Sequence, residues 1–226
     1  MQKLLLFTLF LLLIFGFRLI DRFQKWNIHE NDPYLWIKLC DRSTLFQENT
    51  LPKEDPLTSR TDISIAEAMQ TIVDDYNSLY GSYLRLELYP ADTNAPAEGS
   101  TFTVDRAKKR TIDICDSDLF MAGGQASWEY EGEKIVGCTI RYQKGAMNDV
   151  HAFLSVLTHE IGHCVGLHHP QESIHAIMSY FANRELYRLQ IDDKMGVRYL
   201  YPQTLEGIDH KEHNSMGMSC HYRAYE

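Results

Sequence analysis

His159-Glu160-Ile161-Gly162-His163-Cys164-Val165-Gly166-Leu167-His168-His169 is the stretch that decides how this chain folds and what it holds. His159 and His163 are four residues apart, so on a helix they project from one face about a turn apart. Two imidazoles so placed can grip one divalent metal ion. Glu160 follows the first of them and can reach a metal-bound water. Gly166 lets the chain leave the helix with a positive φ that a side chain would disfavour. The chain then turns back and delivers His169 as a third ligand. Three protein ligands leave a coordination position open, which a catalytic zinc site requires.

The surrounding residues support a helix. Asn148 or Asp149 stands where an N-cap belongs, and Val150, Phe153, Leu154, Leu157, Ile161, Cys164 and Val165 recur at helical spacing. The short pattern His-Glu-x-x-His arises by chance in unrelated helices. The Gly and third His at fixed offsets lower that chance roughly a hundredfold, given ordinary residue frequencies. The competing reading is a buried amphipathic helix with incidental histidines.

Ala176-Ile177-Met178-Ser179-Tyr180 follows after a short loop and resembles the Met-turn of the metzincin peptidases, where a Met lies beneath the zinc-binding histidines. Within metzincins the chain looks matrixin-like. The loop from His169 to Met178 is short, Leu189 to Tyr201 is similar to the last helix of matrixin catalytic domains, and Gly123 to Gln143 is similar to their edge strand and the strand after it. The resemblance spans residues 34–202. It implies an α+β fold with a mixed twisted sheet and two long helices in an N-terminal part, and a small irregular C-terminal part that ends in a helix. It also implies a zinc endopeptidase holding one catalytic Zn2+ through His159, His163 and His169. Glu160 would take a proton from the zinc-bound water and pass it to the leaving amine. Substrate would lie extended along the edge strand, with Gln125 and Ala126 near its backbone. Tyr180 departs from the matrixin pattern, which has Pro there. It looks like the Tyr of astacins and serralysins and would assist the transition state beside the zinc; a packed aromatic is the alternative. His169-Pro170 is also serralysin-like, but the glycine- and aspartate-rich calcium repeats of serralysins are absent.

Composition excludes other classes. The 226 residues carry a net charge of −9 and 44% hydrophobic content. An acidic chain of this kind is not a nucleic-acid binder, which needs a basic face. No contiguous acidic loop of the EF-hand type occurs, so the sequence gives no indication of Ca2+. Nothing argues for more than a monomer. Residues 1–25 hold an uncharged apolar run from Leu4 to Phe17 followed by Arg18. The run suits a secretory signal and is short for a bilayer span. A cleaved signal and an uncleaved membrane anchor both fit, and either implies export, secreted or anchored facing outward. The third reading is a buried N-terminal helix.

Residues 26–33 read as a polar tether, 34–202 as the peptidase domain and 203–226 as a polar tail. Tyr34 to Cys40 alternates and predicts a first strand. Residues 41–61, with Pro52 and Pro56, read as a loop. Ser64 and Glu67 form a capping-box signature that opens a helix ended near Gly81. Tyr83 to Tyr89 and Thr111 to Cys115 read as strands, and Gly124 to Tyr130 with Lys134 to Gln143 as a hairpin. Of the five cysteines, Cys115 and Cys138 lie in apparent strands and could bridge. Cys40 could meet Cys220, and Cys164 reads as a buried thiol. His168 has the wrong offset for a ligand and reads as exposed. His175 reads as a loop residue, and His210, His213 and His221 as part of a solvated tail. Trp128 is a core or surface aromatic. Two rival functions remain: a zinc amidase acting on a non-peptide amide, and a non-catalytic zinc-binding interaction module of the same fold.

Overall fold

In chain order the strands are β1 (Arg18–Leu19), β2 (Lys25–Trp26), β3 (Tyr34–Leu39), β4 (Thr50–Asp55), β5 (Thr58–Ser64), β6 (Arg85–Leu88), β7 (Thr111–Asp116), β8 (Gly124–Glu131), β9 (Lys134–Tyr142) and β10 (Leu167–His168). The helices are α1 (Ile65–Asn77), α2 (Val150–Cys164) and α3 (Ile191–Leu200). This computed structural model describes residues 18–19, 24–39, 50–55, 58–88, 110–116, 123–143, 149–170, 174–179 and 186–204.

Alternation sorts the strands into a sheet. Leu35 and Ile37 of β3 and Ile112 and Ile114 of β7 point into the core, while the residues between them stay partly exposed. The sheet order is β2-β9-β7-β3-β6, with β8 also paired to β9. Strands β2, β9, β7, β3 and β6 pair in parallel. Parallel neighbours need long crossovers, and α1 supplies the one between β3 and β6. Within this sheet, among the described residues, only β8 is antiparallel, joined to β9 through a turn at Gly132, whose φ is +65°. Among the described residues, no strand pairs with the outer edge of β8.

The helices begin where the sequence places them. Ser64 and Glu67 close a reciprocal cap, with Glu67 N–H donating to Ser64 Oγ at 3.1 Å and Ser64 N–H to Glu67 Oε2 at 2.9 Å. Asp149 caps α2 by accepting from Ala152 N–H at 2.8 Å. Ile72, Val73 and Tyr76 of α1 meet Phe153, Leu157 and Ile161 of α2 in one core with Leu35, Ile114 and Ile140 of the sheet. Tyr76 donates to Thr158 O at 2.9 Å and ties the two helices together.

Three expectations change. The loop expected at 41–61 contains a hairpin of β4 and β5, a separate two-stranded sheet whose polar strands lack an apolar alternation to betray them. Pro52 is tolerated there because such a ribbon is all edge. The segment read as a tether is part of the core: Trp26 and Ile28 are 1% and 2% exposed, and Lys25 and Trp26 pair with Lys134 and Ile135. Its polar composition hides two apolar anchors. Finally, Cys164 is no free thiol. It bonds to Cys138, which joins α2 to β9, and Cys115 is disulfide-bonded as well. Strand assignment alone paired the wrong partners, because Cys138 faces the helix layer.

No helix among the described residues is long and apolar enough to cross a membrane. Of the leader, residues 1–17 and 20–23 lie outside the described residues, as do Cys40, Cys220 and the tail histidines; Arg18 and Leu19 pair antiparallel with His168 and Leu167 of β10.

Trp26→Ala should lower the unfolding free energy by about 3–5 kcal/mol, read by denaturant titration. A residue in a tether would leave the midpoint unmoved.

Candidate metal centre

His159, His163 and His169 bring three ring nitrogens together. Nε2 of His169 lies 3.0 Å from Nε2 of His159 and 3.0 Å from Nε2 of His163. The other ring nitrogens explain what the cluster needs. His159 Nδ1 is 2.7 Å from Ile177 O, and His163 Nδ1 is 2.9 Å from Leu167 O. A carbonyl only accepts, so both Nδ1 atoms carry protons, and each neutral ring then turns a bare lone pair toward the centre. A single N–H on His169 can satisfy at most one of them. A shared cation satisfies all three, and the separations are close to the roughly 3.3 Å expected between ligands of a tetrahedral zinc. Burial and the neighbouring imidazoles hold His163 down to about 3, in the neutral form a ligand requires. Burial lowers His159 as well. Carbonyl partners on ligating imidazoles are the usual outer shell of such a centre.

The end of α2 is fixed carbonyl by carbonyl. The last carbonyls of a helix lack intrahelical partners. His163 O accepts from Trp128 Nε1–H at 2.8 Å and Gly166 N–H at 2.9 Å. Cys164 O accepts from Trp26 Nε1–H at 2.7 Å, and Val165 O from the Tyr201 hydroxyl at 2.8 Å. Gly166 then turns the chain with φ +107°. A Cβ there would meet Gln24 O and Leu200 Cδ1, each at 3.0 Å. The reversal leads through β10 to His169.

Met178 lies under α2. A Cβ on Gly162 would fall inside the shell of Met178 Sδ, so the glycine makes room for the thioether. Asp193 holds this turn from α3. Its buried carboxylate accepts from Ile177 N–H at 2.8 Å, Met178 N–H at 3.1 Å and Gln190 N–H at 2.8 Å. Ile177 is therefore held by Asp193 on its N–H side and orients His159 with its carbonyl.

Glu160 is 6% exposed. Gly124 of β8 lies so close that a Cβ would meet Glu160 Cγ at 2.7 Å. Ala126 donates its N–H to the carboxylate, while Oε2 is buried with no partner. Burial pushes this carboxyl up to about 7, against the pull of the Ala126 N–H. A nearby dication would draw it back down.

Of the other residues marked by the sequence, Gln125 is exposed on β8 and Ala126 is half-buried. Tyr180 lies outside the described residues. His168 is half-buried, not exposed, and its Nδ1 accepts from His169 N–H at 2.8 Å. His175 is exposed. Trp26, Trp128 and Asp193 were not singled out for the site. The sequence signal for Asp193 is the acidic pair Asp192-Asp193 in the first turn of α3.

Two histidines on a helix, a third after a glycine turn, and a methionine turn beneath them define a metzincin-type metallopeptidase centre. The profile of one family, Matrixin, matches residues 20–202, and the chain belongs to the matrixin family of zinc metallopeptidases. No curated protein matches it. Among solved structures, the GM1 bound form of the ECX AB5 holotoxin is similar over 75% of this chain and 80% of that one, with 11% identity and a TM-score of 0.45.

Gly162→Ala should cost about 1–3 kcal/mol through overpacking against Met178, measured by thermal and denaturant unfolding.

Proposed function

We propose that this chain is a zinc-dependent endopeptidase that hydrolyses extended peptide segments with Glu160 as general base. The observation that carries the reading is the unpartnered, buried Oε2 of Glu160 beside three convergent imidazoles. When bound by these histidines, zinc supplies a Lewis acid that polarises the scissile carbonyl and acidifies water. Glu160 has one carboxylate oxygen free to take a proton and an N–H from Ala126 to fix its orientation. It removes the proton of the attacking water and hands it to the departing amine, so that the C–N bond breaks as a neutral amine leaves.

The outer edge of β8 supports the choice of substrate. An extended peptide adding there gains backbone hydrogen bonds without demanding a particular sequence. That edge runs past Gly124 and Ala126, the residues packed on Glu160, which brings an added strand to the base. We also take the apolar leader as a sign of export, with the enzyme acting as a monomer outside the cytosol. The disulfide between Cys138 and Cys164 favours such an oxidising setting.

Glu160→Gln should retain zinc and lower kcat on a quenched peptide library by roughly a hundred- to ten-thousandfold. Full turnover by the variant would remove Glu160 from the mechanism. Silence from both folded, zinc-loaded proteins would turn the reading toward a non-peptide amide or a binding role.

A further inference from the structure

We propose that Trp128 is a positioning residue for the metal ligand His163, keying the edge strand β8 to the metal centre. The inference rests on the metal-centre reading above. Three contacts carry it. The indole Nε1–H donates to His163 O at 2.8 Å. The indole ring stands edge-on to the imidazole of the same residue, with centroids 6.1 Å apart and planes at 86°. Third, Trp128 is in register with the residues that pack on the base. Strand alternation puts Gly124, Ala126 and Trp128 on the face turned toward α2, and the first two of these engage Glu160.

One side chain therefore fixes both the backbone and the ring of His163. The comparison with Trp26 isolates the point. Trp26 makes the same kind of bond to the next carbonyl, Cys164 O, at 2.7 Å. It is fully buried and joins the core, so it is a structural cap. Trp128 is half-buried, and its ring faces a ligand. It packs on the margin of the core and His163 O keeps the Gly166 N–H, so its loss is expected to spare the core and loosen the ligand. The imidazole still donates through Nδ1 to Leu167 O, but the carbonyl end of its residue is no longer tethered to the sheet.

The test uses the full chain and two substitutions. Trp128→Phe keeps an aromatic ring and deletes the N–H; Trp128→Leu deletes both. Zinc affinity is measured by chelator competition, ligand geometry by the visible spectrum of the Co2+-substituted protein, and metal-free stability by denaturant unfolding. Trp128→Phe is expected to weaken zinc about ten- to a hundredfold, the usual cost of losing an outer-shell partner, with a shifted Co2+ spectrum and a nearly unchanged metal-free midpoint. Trp128→Leu should weaken it further. Wild-type zinc affinity and an unchanged Co2+ spectrum in both variants would overturn the proposal. So would a loss of metal-free stability large enough to account for the whole drop in affinity. A parent chain that binds no zinc would overturn the metal-centre reading itself, an outcome separate from equal binding by parent and variants.

Discussion

A helix cannot end in a protein interior with its carbonyls bare, and α2 ends there. Each unsatisfied carbonyl would cost about 1–3 kcal/mol. Three consecutive ones are met: His163 O by the Gly166 N–H and Trp128, Cys164 O by Trp26, and Val165 O by Tyr201, the three side chains being drawn from the edge strand, β2 and the end of α3. The same requirement that closes the helix thus recruits distant parts of the chain to His163 and the candidate metal centre. Tyr201 also accepts from Trp26 N–H at 3.3 Å, so two of the caps brace each other. The disulfide from Cys164 to Cys138 adds a covalent tie at the same point.

From that fixed end the rest of the centre follows in two directions. Forward, Gly166 reverses the chain and Leu167 O sets the tautomer of His163. Backward along the helix, Gly162 opens space for Met178, and Glu160 meets β8. The Met-turn is stiff because Asp193 accepts from two of its N–H groups, and this stiffness reaches His159 through Ile177 O. A neutral imidazole with one nitrogen committed to a carbonyl can only present the other one inward. Ligand geometry here is thus a matter of backbone position as much as side-chain choice.

The motif made the histidine cluster legible because fixed offsets on one helix have only one geometry. His159 and His163 follow from the helical repeat, and Gly166 announces the turn that brings His169. The capped starts of α1 and α2 were readable for the same reason, since capping is local chemistry. What stayed hidden depends on partners far away in sequence. Trp26 meets Cys164 across 138 residues, and no local pattern separates such an anchor from a tether. The β4–β5 hairpin has too little apolar alternation to announce itself. The bridge between Cys138 and Cys164 needs the helix layered on the sheet before its geometry exists. Asp193 reads as an ordinary acid in the first turn of a helix; only the folded Met-turn above it reveals two more donors, Ile177 and Met178.

The dependence of α2 on Tyr201 and Asp193 has a consequence for the order of synthesis. The histidine motif leaves the ribosome before the groups that finish its geometry. A nascent chain that ends short of α3 has the three histidines but lacks the carboxylate that sets Ile177 and the hydroxyl that caps Val165. The metal centre therefore reports on completion of the chain: truncated products carry its ligands without the frame that aims them.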